Sequence, residues 1–410
     1  MNFTPGQTFI PASGQLVGTK EKEYMHDAVE SGWLTAGRYN TEFEQRLRNY
    51  LQAGAVRTVN SGSSANLVAF SALTSPTLGA RAIKPGDEVI TVACGFPTTI
   101  NPIIQNGCVP VFVDIDDSLN INIDSLVAAI TPKTRAIMIA HTLGNPFNLD
   151  RVMELVKKHD LWLVEDCCDA LGATWNGQKV GTFGHLATLS FFPAHHITMG
   201  EGGAVIVNDL ELLRAVESFR DWGRDCWCAP GKDNTCGMRF ERQMGQLPCG
   251  YDHKYIFTHA GYNLKITEMQ AACGLAQLEQ VENFVSARRN NYYKLKDALS
   301  SVKVFKFPDV YPSAHPSWFG FPIMLDGADF DRDTFVRYLN DNKIGTRLLF
   351  AGNVTKQPYM EGRTYRVVGE LDKSDEVMNN LLWVGVQPAL TSEMLDYMIT
   401  KMKAFTGDFE

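Results

Sequence analysis

The stretch Ser190-Phe-Phe-Pro-Ala-His195-His196-Ile-Thr-Met-Gly200-Glu-Gly-Gly-Ala-Val205 joins two apolar runs through a loop and a glycine-rich turn. The runs cover residues 186–191 and 204–207, and their length and turn-rich borders are typical of buried strands. Further apolar runs alternate with helix-like segments and lie at residues 88–93, 136–140 and 161–164. This alternation predicts an α/β fold in which helices cover both faces of a sheet.

The C-terminal third of the chain shows a different pattern. Helical patterning extends from about residue 267 to 298, which is too long for one lobe and predicts a link into a second domain. From Trp318 onward the pattern is that of a smaller α+β arrangement, with a strand-like run at 320–324. We therefore predict an N-terminal segment (1–30), a large α/β domain (31–275) and a small C-terminal domain (276–410).

The composition argues against several classes of function. With 410 residues and 45% apolar content the chain can bury a large core, and its net charge of −8 gives no electrostatic case for binding nucleic acid or an anionic membrane. Residues 1–20 lack the basic start and apolar core of a signal peptide, and no apolar run is long enough for a membrane-spanning helix. Nine cysteines, an odd number, fit a reducing compartment. We therefore expect a soluble cytoplasmic protein.

The loop between the first two strand-like runs resembles that of the DegT/StrS family of nucleotide-sugar aminotransferases. The family pattern is S-F-[FY]-P-x-K-x followed by G-E-G-G, and His195 occupies the lysine position. The resemblance implies an aspartate-aminotransferase-like (fold type I), mainly parallel sheet domain with a smaller C-terminal α+β domain. An imidazole moves protons near neutral pH but has no primary amine for a covalent bond to pyridoxal phosphate. The implied cofactor is therefore untethered pyridoxamine 5'-phosphate (PMP), with His195 as catalytic base and the adjacent His196 as its rival.

A serine-rich turn, Asn60-Ser-Gly-Ser-Ser-Ala-Asn66, follows a short apolar segment and opens an apolar helix. Its N–H groups and hydroxyls are suited to hold a phosphate at the positive end of that helix, although an ordinary N-cap explains the serines equally well. In the family this turn binds the cofactor phosphate, which implies Gly62, Ser63 and Ser64 as phosphate ligands here. Ser190 occupies the family position that adds a further phosphate contact.

Other positions match the family's cofactor and substrate sites. Asp166, at the end of a strand-like run, either caps the next turn or keeps the cofactor's pyridine nitrogen protonated, and the family pattern E-D-x-x-x-A-x-G-A favours the second role. Phe96 aligns with the aromatic residue that covers the ring, with a core position as the alternative. Asn263 aligns with an asparagine that reaches the cofactor phosphate of the neighbouring subunit, which implies a homodimer with shared active sites. Lys265 and Arg347 are candidates for binding the substrate diphosphate, or else surface charges.

Four cysteines are spaced C-x57-C-x-C-x7-C, at Cys168, Cys226, Cys228 and Cys236. The last three lie among Gly, Pro, Asp and Asn, a composition that lets thiolates turn toward one point. Zinc and iron–sulfur clusters both use such thiolate sets. The spacing resembles that of the iron–sulfur branch of the family, which implies a [2Fe–2S] cluster on these residues. Cys167 and Cys249 are alternative ligands, although strand alternation places Cys168, not Cys167, on the same side as Asp166.

The resemblance also implies a reaction, in the biosynthesis of 3,6-dideoxyhexoses. PMP would form a Schiff base with a CDP-4-keto-6-deoxyhexose, His195 would remove a proton, and the hydroxyl at carbon 3 would leave. The cluster would then pass electrons from a separate NAD(P)H-dependent reductase carrying flavin and an iron–sulfur centre. Two alternatives stay open: a cluster-free 3-dehydratase acting on GDP-4-keto-6-deoxymannose, and a non-catalytic scaffold that binds a cofactor or a metal.

Overall fold

A computed structural model describes residues 3–326 and 331–407; residues 1–2 of the predicted N-terminal segment and 327–330 and 408–410 of the predicted C-terminal domain lie outside the described residues. The α-helices of the described residues are α1 Thr19–Glu30, α2 Arg38–Leu51, α3 Gly62–Ala72, α4 Pro97–Gln105, α5 Ile123–Ala129, α6 Leu149–His159, α7 Leu213–Arg220, α8 Glu268–Leu278, α9 Val281–Leu299, α10 Arg332–Asp341, α11 Asp372–Asn380 and α12 Ser392–Thr406. The strands are β1 Ala55–Val59, β2 Glu88–Val92, β3 Val109–Val113, β4 Thr134–Ala140, β5 Trp162–Asp166, β6 Thr174–Trp175, β7 Gln178–Lys179, β8 Leu186–Ser190, β9 Gly203–Val207, β10 Phe305–Lys306, β11 Ala314–His315, β12 Gly320–Leu325, β13 Thr346–Arg347, β14 Arg366–Val367 and β15 Leu381–Gly385.

The larger sheet has eight strands in the order β1-β9-β8-β5-β4-β2-β3-β14. The pairs from β8 through β14 are parallel, whereas β9 pairs antiparallel with both β1 and β8. The five apolar runs in the predicted large domain form β2, β4, β5, β8 and β9. The predicted α/β sheet, mainly parallel in its pairing, is therefore confirmed.

Both faces of this sheet are covered, as the continuous apolar character of its strands predicts. Every residue of β2, β5, β8 and β9 is buried. Neighbouring residues of β5 belong to different hydrophobic clusters. Leu163 packs in one cluster, and Val164 packs in another with Val68 and Ala69 of α3. Because successive side chains of a strand point to opposite faces, the same strands contribute to the hydrophobic core on each side of the sheet.

A second sheet is antiparallel and has the order β10-β12-β15-β13. The strand-like run predicted at 320–324 forms its β12. Tyr292 of α9 stacks on Trp318 with ring centroids 3.8 Å apart, within the core beneath this sheet. The C-terminal third also returns to the larger sheet, because β14 pairs with β3 at its edge. The domain boundaries given above stay a prediction.

The long helical stretch from 267 to 298 forms two helices, α8 and α9, instead of one. α8 begins with a capping box in which Thr267 and Gln270 satisfy each other's backbone N–H groups, and it packs against α1 and α2. α9 packs against β12 and α12. Since the two segments bury their apolar faces against different partners, the chain changes direction between them. Within the described ranges, each helix lacks either the length or the apolar content needed to cross a membrane.

Candidate active site

A cavity of about 340 Å³ opens at the carboxyl edge of the larger sheet. Its wall includes Ala140, Asp166 and Ser190, the last residues of β4, β5 and β8. Parallel α/β sheets bind ligands at this edge because loops and helix N-termini converge there. The cavity therefore occupies the position in the fold where a cofactor site is expected.

The serine-rich turn supplies one end of the cavity. Ser61 caps α3 by accepting a hydrogen bond from the Ser64 N–H at 3.0 Å, and the Ser64 hydroxyl donates to Asn60 Oδ1 at 2.6 Å. Ser61 and Ser64 therefore form the N-cap that was the alternative explanation for the serines. Gly62 and Ser63 line the cavity with Ser190. A Cβ at Gly62 would lie 2.6 Å from Ser190 Cβ and 3.0 Å from Cys168 Sγ, so this approach requires glycine. The N–H groups of a first helical turn lack intrahelical partners and favour an anion.

Asp166 is 5% exposed and is held in a fixed orientation. Its Oδ2 accepts hydrogen bonds from Asn66 Nδ2 at 2.8 Å and Thr99 Oγ1 at 2.6 Å, and its Oδ1 accepts from the Cys168 N–H at 3.1 Å. The Thr188 hydroxyl donates to Asn66 Oδ1 at 2.7 Å and so fixes the amide that faces Asp166. Donors of this kind hold a carboxylate in one orientation at the cavity floor.

His195 lies in the cavity wall with most of its ring buried. Its Nδ1 is 3.4 Å from Asp169 Oδ1, and its ring is 5.0 Å from the ring of Phe319. Burial, together with the charge of the nearby Arg288 guanidinium, lowers the pKa of His195 to about 4. The imidazole is therefore neutral near pH 7, which is the form that accepts a proton.

His196, the rival base, points elsewhere. Its Nε2 lies 3.0 Å from the carbonyl oxygen of Ser317, and the residue is 3% exposed. Burial holds its pKa well below the usual range for histidine. The structure therefore places His195, and not His196, against the cavity.

Two ionisable side chains beside His195, Asp169 and Arg288, were not identified from the sequence. Burial, reinforced by the charge of Asp166, raises the pKa of Asp169 to about 8, so this carboxyl group holds a proton near pH 7. Arg288 is 1% exposed and donates to the carbonyl oxygens of Ala194 and His195, each at 3.0 Å. Asp169 lies in the same E-D-x-x-x-A motif as Asp166, a signal that could have led to it; Arg288 is one of several arginine and lysine residues along α9 and has no distinguishing local pattern.

The remaining predicted cofactor and substrate residues divide between two places. Phe96 is 47% exposed in the cavity wall, and Arg347 lies in the same wall. Asn263 is exposed outside this cavity, in an antiparallel bridge with Asp221. Lys265 forms an ion pair with Asp221 and lies over the ring of Trp222, 3.8 Å from its centroid. Within one chain, Asn263 and Lys265 are therefore not part of the cavity.

Three of the predicted metal ligands come together. The sulfur atoms of Cys226, Cys228 and Cys236 lie within 4.8 Å of one another. Burial opposes ionisation of Cys228, but hydrogen bonds from Thr235 and the neighbouring thiol groups lower the pKa of its thiol to about 7. This group of thiols suits a metal that prefers sulfur ligands.

The expected fourth ligand, Cys168, is not one of this group of three, and its role as a metal ligand stays a prediction. Its sulfur is not within 4.8 Å of all three thiols, and it lies instead on the cavity wall beside Gly62 and Ser190. The physical reason is that β5 ends at Asp166 and directs Cys168 to the cavity side. Cys167 is 1% exposed and lies on the other side, near Glu165 and His141, as strand alternation predicts. Cys249 is exposed.

A second group, His141, Glu165 and Cys167, also has metal-ligand spacing. Glu165 already accepts hydrogen bonds from His141 and from the N–H groups of Gly181, Phe183 and Gly184, at 2.7–3.0 Å. Its carboxylate oxygens are thus used to fix the backbone after β7, which is a structural role.

The comparison with known proteins decides the family. The family model described as the DegT/DnrJ/EryC1/StrS aminotransferase family matches residues 15–403. The chain belongs to the DegT/DnrJ/EryC1/StrS family.

This family member has curated relatives along its whole length. It is 57% identical over 408 residues to the lipopolysaccharide biosynthesis protein RfbH of Salmonella typhimurium strain LT2, covering 99% of this chain and 93% of RfbH. It is 50% identical over 407 residues to the dTDP-4-dehydro-2,6-dideoxy-D-glucose 3-dehydratase of Saccharopolyspora spinosa, covering 99% of this chain and 88% of that enzyme.

Solved structures of the DegT/DnrJ/EryC1/StrS fold also match. The E. coli GDP-4-keto-6-deoxy-D-mannose-3-dehydratase with bound hydrated PLP superposes with a TM-score of 0.87 at 29% identity, covering 97% of this chain and 100% of that one. An aminotransferase from Psychrobacter cryohalolentis superposes with a TM-score of 0.85 at 24% identity, covering 98% of this chain and 99% of that one. The expected aspartate-aminotransferase-like fold is therefore confirmed.

Proposed function

We propose that this protein is a PMP-dependent nucleotide-sugar 3-dehydratase. The observation that carries the proposal is His195: a neutral imidazole stands in the cavity wall at the position where the family pattern has its lysine. A side chain without an amine cannot hold the cofactor covalently, but it can move the proton that an elimination requires. The finer resemblance, to CDP-4-keto-6-deoxyglucose 3-dehydrase, belongs to the same proposal.

The residues around the cavity fit this cofactor. The first turn of α3, with Gly62, Ser63 and Ser190, offers N–H and hydroxyl donors to a phosphate. Asp166, fixed by Asn66 and Thr99, would hold a protonated pyridine nitrogen, and Phe96 would cover the ring. When bound, PMP supplies an amine that condenses with a sugar ketone and a ring that withdraws electrons. Ser64 is left out of this set because its hydroxyl donates to Asn60 and its N–H donates to Ser61, so its part in binding the phosphate stays a prediction.

His195 would accept the proton and then donate it. Its Nδ1 is buried and faces Asp169, which leaves Nε2 as the nitrogen that exchanges protons in the cavity. The lowered pKa has two effects: the resting ring is free to accept a proton, and the charged ring is a strong acid once it has done so. That acidity suits delivery of the proton to the departing hydroxyl at carbon 3. Arg288 adds to the acidity through its charge and holds the loop by two carbonyl contacts.

The substrate proposed is a nucleotide-linked 4-keto-6-deoxyhexose. The names of three relatives combine a keto or dehydro deoxysugar with the term 3-dehydratase, yet they carry dTDP in one case and GDP in two. Their shared element is the chemistry at carbon 3, and CDP remains our expectation for this chain. Arg347 in the cavity wall is the candidate for the diphosphate. Lys265 and Asn263 would contribute only to the active site of a second subunit in a homodimer.

A second candidate form of the activity couples elimination to reduction. It is favoured by the three thiols of Cys226, Cys228 and Cys236, which suit a [2Fe–2S] cluster fed by a separate flavin-containing NAD(P)H-dependent reductase. The cluster-free form is supported by similarity to a GDP-4-keto-6-deoxymannose-3-dehydratase crystallised with a trapped PLP–glutamate geminal diamine, at 29% identity. Iron and acid-labile sulfide in anaerobically purified protein separate the two: about two of each per chain support the reductive form.

The test of the dehydratase proposal is incubation of PMP-loaded protein with CDP-, dTDP- and GDP-linked 4-keto-6-deoxyhexoses, followed by mass spectrometry for loss of the carbon-3 hydroxyl. We expect His195→Asn to retain PMP but to lose turnover by about 100- to 10,000-fold, since it removes the base. His196→Asn is the matched control, because that ring binds Ser317 away from the cavity. Normal turnover by His195→Asn would reject His195 as the base, and absence of elimination with every nucleotide would reject the dehydratase proposal.

A further inference from the structure

Arg288 of α9 is a buried charge next to the loop that carries His195. The residue is 1% exposed, and burial, opposed by the charge of Asp169, lowers the pKa of its guanidinium to about 10, so that it is still charged near pH 7. The wall of the cofactor cavity, as the described residues form it, does not include Arg288. Because burial of a charge is unfavourable unless the charge is well bonded, its contacts need an explanation. Any effect of Arg288 on the reaction is transmitted through the groups that it contacts.

The guanidinium of Arg288 joins two segments that are far apart in the sequence. Its Nη2 donates to the carbonyl oxygens of Ala194 and His195, and its Nη1 donates to that of Phe319, each at 3.0 Å. The first two carbonyls belong to the irregular loop between β8 and β9, whereas Phe319 directly precedes β12 of the smaller sheet. Since an arginine presents its donors in fixed directions, these bonds fix the position of one segment relative to the other.

The same two segments contact each other at the His195 ring. The ring centroids of His195 and Phe319 are 5.0 Å apart. The N–H group of Phe319 donates to the carbonyl oxygen of Leu143 at 2.9 Å, so this segment is anchored to the turn that follows β4. Arg288 therefore holds both the backbone of the base and the backbone of the ring packed against it. A displacement of a catalytic group by about 1 Å lowers a rate by about 100-fold.

We propose that Arg288 is a positioning residue for the proposed reaction, which holds the His195 imidazole against the cofactor cavity by binding the loop carbonyls and the Phe319 carbonyl with one guanidinium. This inference deepens the proposed function and rests on it. It requires the planar shape of the guanidinium as well as its charge. A lysine keeps the charge but has a single nitrogen, so it cannot hold the three carbonyl groups in the same geometry.

The experiment compares Arg288→Lys with Arg289→Lys in the full-length protein. Arg289 is the next residue of α9 and offers a matched control, because its guanidinium also donates to three main-chain carbonyl groups, at 2.7–3.4 Å, and all three lie outside the His195 loop. Both changes keep the charge and remove a set of carbonyl contacts. They differ in the segment that is released.

The first measurement is hydrogen–deuterium exchange, which does not depend on activity. Mass spectrometry follows a peptide of residues 191–199, in which the N–H groups of His195 and Met199 donate to carbonyl oxygens of the same loop. We expect Arg288→Lys to speed exchange in this peptide about tenfold or more, because local opening of the loop becomes easier. Arg289→Lys should exchange there as the unchanged protein does.

The second measurement is elimination by PMP-loaded protein with a nucleotide-linked 4-keto-6-deoxyhexose. Arg288→Lys should lower kcat about 100-fold, while KM and the affinity for PMP change less than about threefold. This difference is expected because Arg288 holds the base but lies outside the cavity wall. Arg289→Lys should keep kcat within about twofold of the unchanged protein. Circular dichroism checks that equal amounts of folded protein are compared.

The outcomes are separable. Equal exchange and equal kcat in the two lysine variants overturn the positioning role, and so does faster exchange in Arg288→Lys with an unchanged kcat. If Arg288→Lys does not fold, Arg288→Gln, a neutral side chain with one amide donor group, takes its place, and failure of both to fold assigns Arg288 to the fold itself and overturns the proposal. Absence of elimination by the unchanged protein rejects the proposed function, whereas the exchange data decide separately whether Arg288 restrains the loop.

Discussion

At the scale of single residues, Asp169 offers a test that does not depend on the substrate. Burial raises its pKa to about 8, so the folded protein holds a proton that the unfolded chain releases near pH 4. The stability that this proton contributes is complete below about pH 4 and is lost as pH rises to about 8. Asp169→Asn carries no charge at any pH. The free energy of unfolding of Asp169→Asn, relative to that of the unchanged protein, should therefore rise between pH 5 and pH 8 by roughly 4 kcal/mol.

Urea denaturation at pH 5, 6.5 and 8 measures this difference. Asp297→Asn, an exposed position on α9, is the matched control and should show little change at each pH. A stability difference for Asp169→Asn that stays constant across this range contradicts the raised pKa.

Gly62 offers a second prediction at this scale, for cofactor binding. A methyl group there would approach Ser190 Cβ to 2.6 Å and Cys168 Sγ to 3.0 Å, so the first turn of α3 or the end of β8 has to shift. We expect Gly62→Ala to weaken PMP binding at least tenfold, measured by titration calorimetry, with a smaller loss of stability. Gly14→Ala serves as control because its Cβ would make ordinary contacts of 3.4–3.5 Å with Gln387. Equal PMP affinity in both variants removes Gly62 from the phosphate site.

At the scale of elements, Glu268 of α8 accepts hydrogen bonds from the backbone at the start of α2. It lies in the first turn of α8, is 2% exposed, and accepts hydrogen bonds from the N–H groups of Gly37, Tyr39 and Asn40 at 2.6–3.0 Å. These N–H groups belong to the N-cap residue and the first turn of α2, which has no capping side chain of its own. Glu268→Ala should lower the free energy of unfolding by about 3 kcal/mol, since buried donors lose charged partners. Thermal unfolding of Glu268→Ala and of the exposed control Glu23→Gln measures this loss of stability. Equal melting points for the two variants contradict this role of Glu268.

The elements also show what the sequence could predict. Strands with continuous apolar character, such as β2, β5 and β8, were found because burial on both faces leaves a local signal. β14 was not predicted: it has two residues, Arg366 and Val367, and is defined only by its pairing with β3. The break between α8 and α9 was missed for a related reason, because the helical pattern continues across it while the packing partners change.

The same limit applies to the candidate site. His195, Asp166 and Gly62 carry motifs and could be located in the sequence, whereas Thr99, Thr188 and Arg288 act through contacts between distant segments. Spacing alone does not decide the role of Cys168, which stays a prediction. Cys168 matches a four-cysteine pattern, and the end of β5 directs its sulfur to the cavity wall.

At the scale of the whole molecule, one segment of the chain carries several exposed aromatic side chains. Between α7 and α8, Trp222, Phe240, Tyr251, Tyr255 and Phe257 are 39–59% exposed. Since contiguous exposed apolar surface marks contacts between proteins, we expect this segment to contact another protein. Asn263, which the family pattern connects with a neighbouring subunit, and Lys265, a candidate for binding the substrate diphosphate, lie next to this segment in the chain. A symmetric dimer formed through it would explain why these two residues stand outside the cavity of their own chain.

The dimer leads to a prediction that only shared active sites satisfy. Each site would take His195 from one subunit and Asn263 from the other, so His195→Asn and Asn263→Ala proteins should both have little activity alone. If they are unfolded together and refolded in equal amounts, half of the dimers are mixed, and each mixed dimer contains one site with both residues intact. Elimination activity should return to about a quarter of the normal level for a two-fold symmetric dimer. Light scattering checks the dimer itself, and Tyr255→Asp should weaken it, whereas Leu210→Asp, at an exposed position outside the segment between α7 and α8, should not. Because two sites that each draw on a single chain cannot repair one another, activity that stays at the level of the separate variants would show that Asn263 serves no neighbouring subunit.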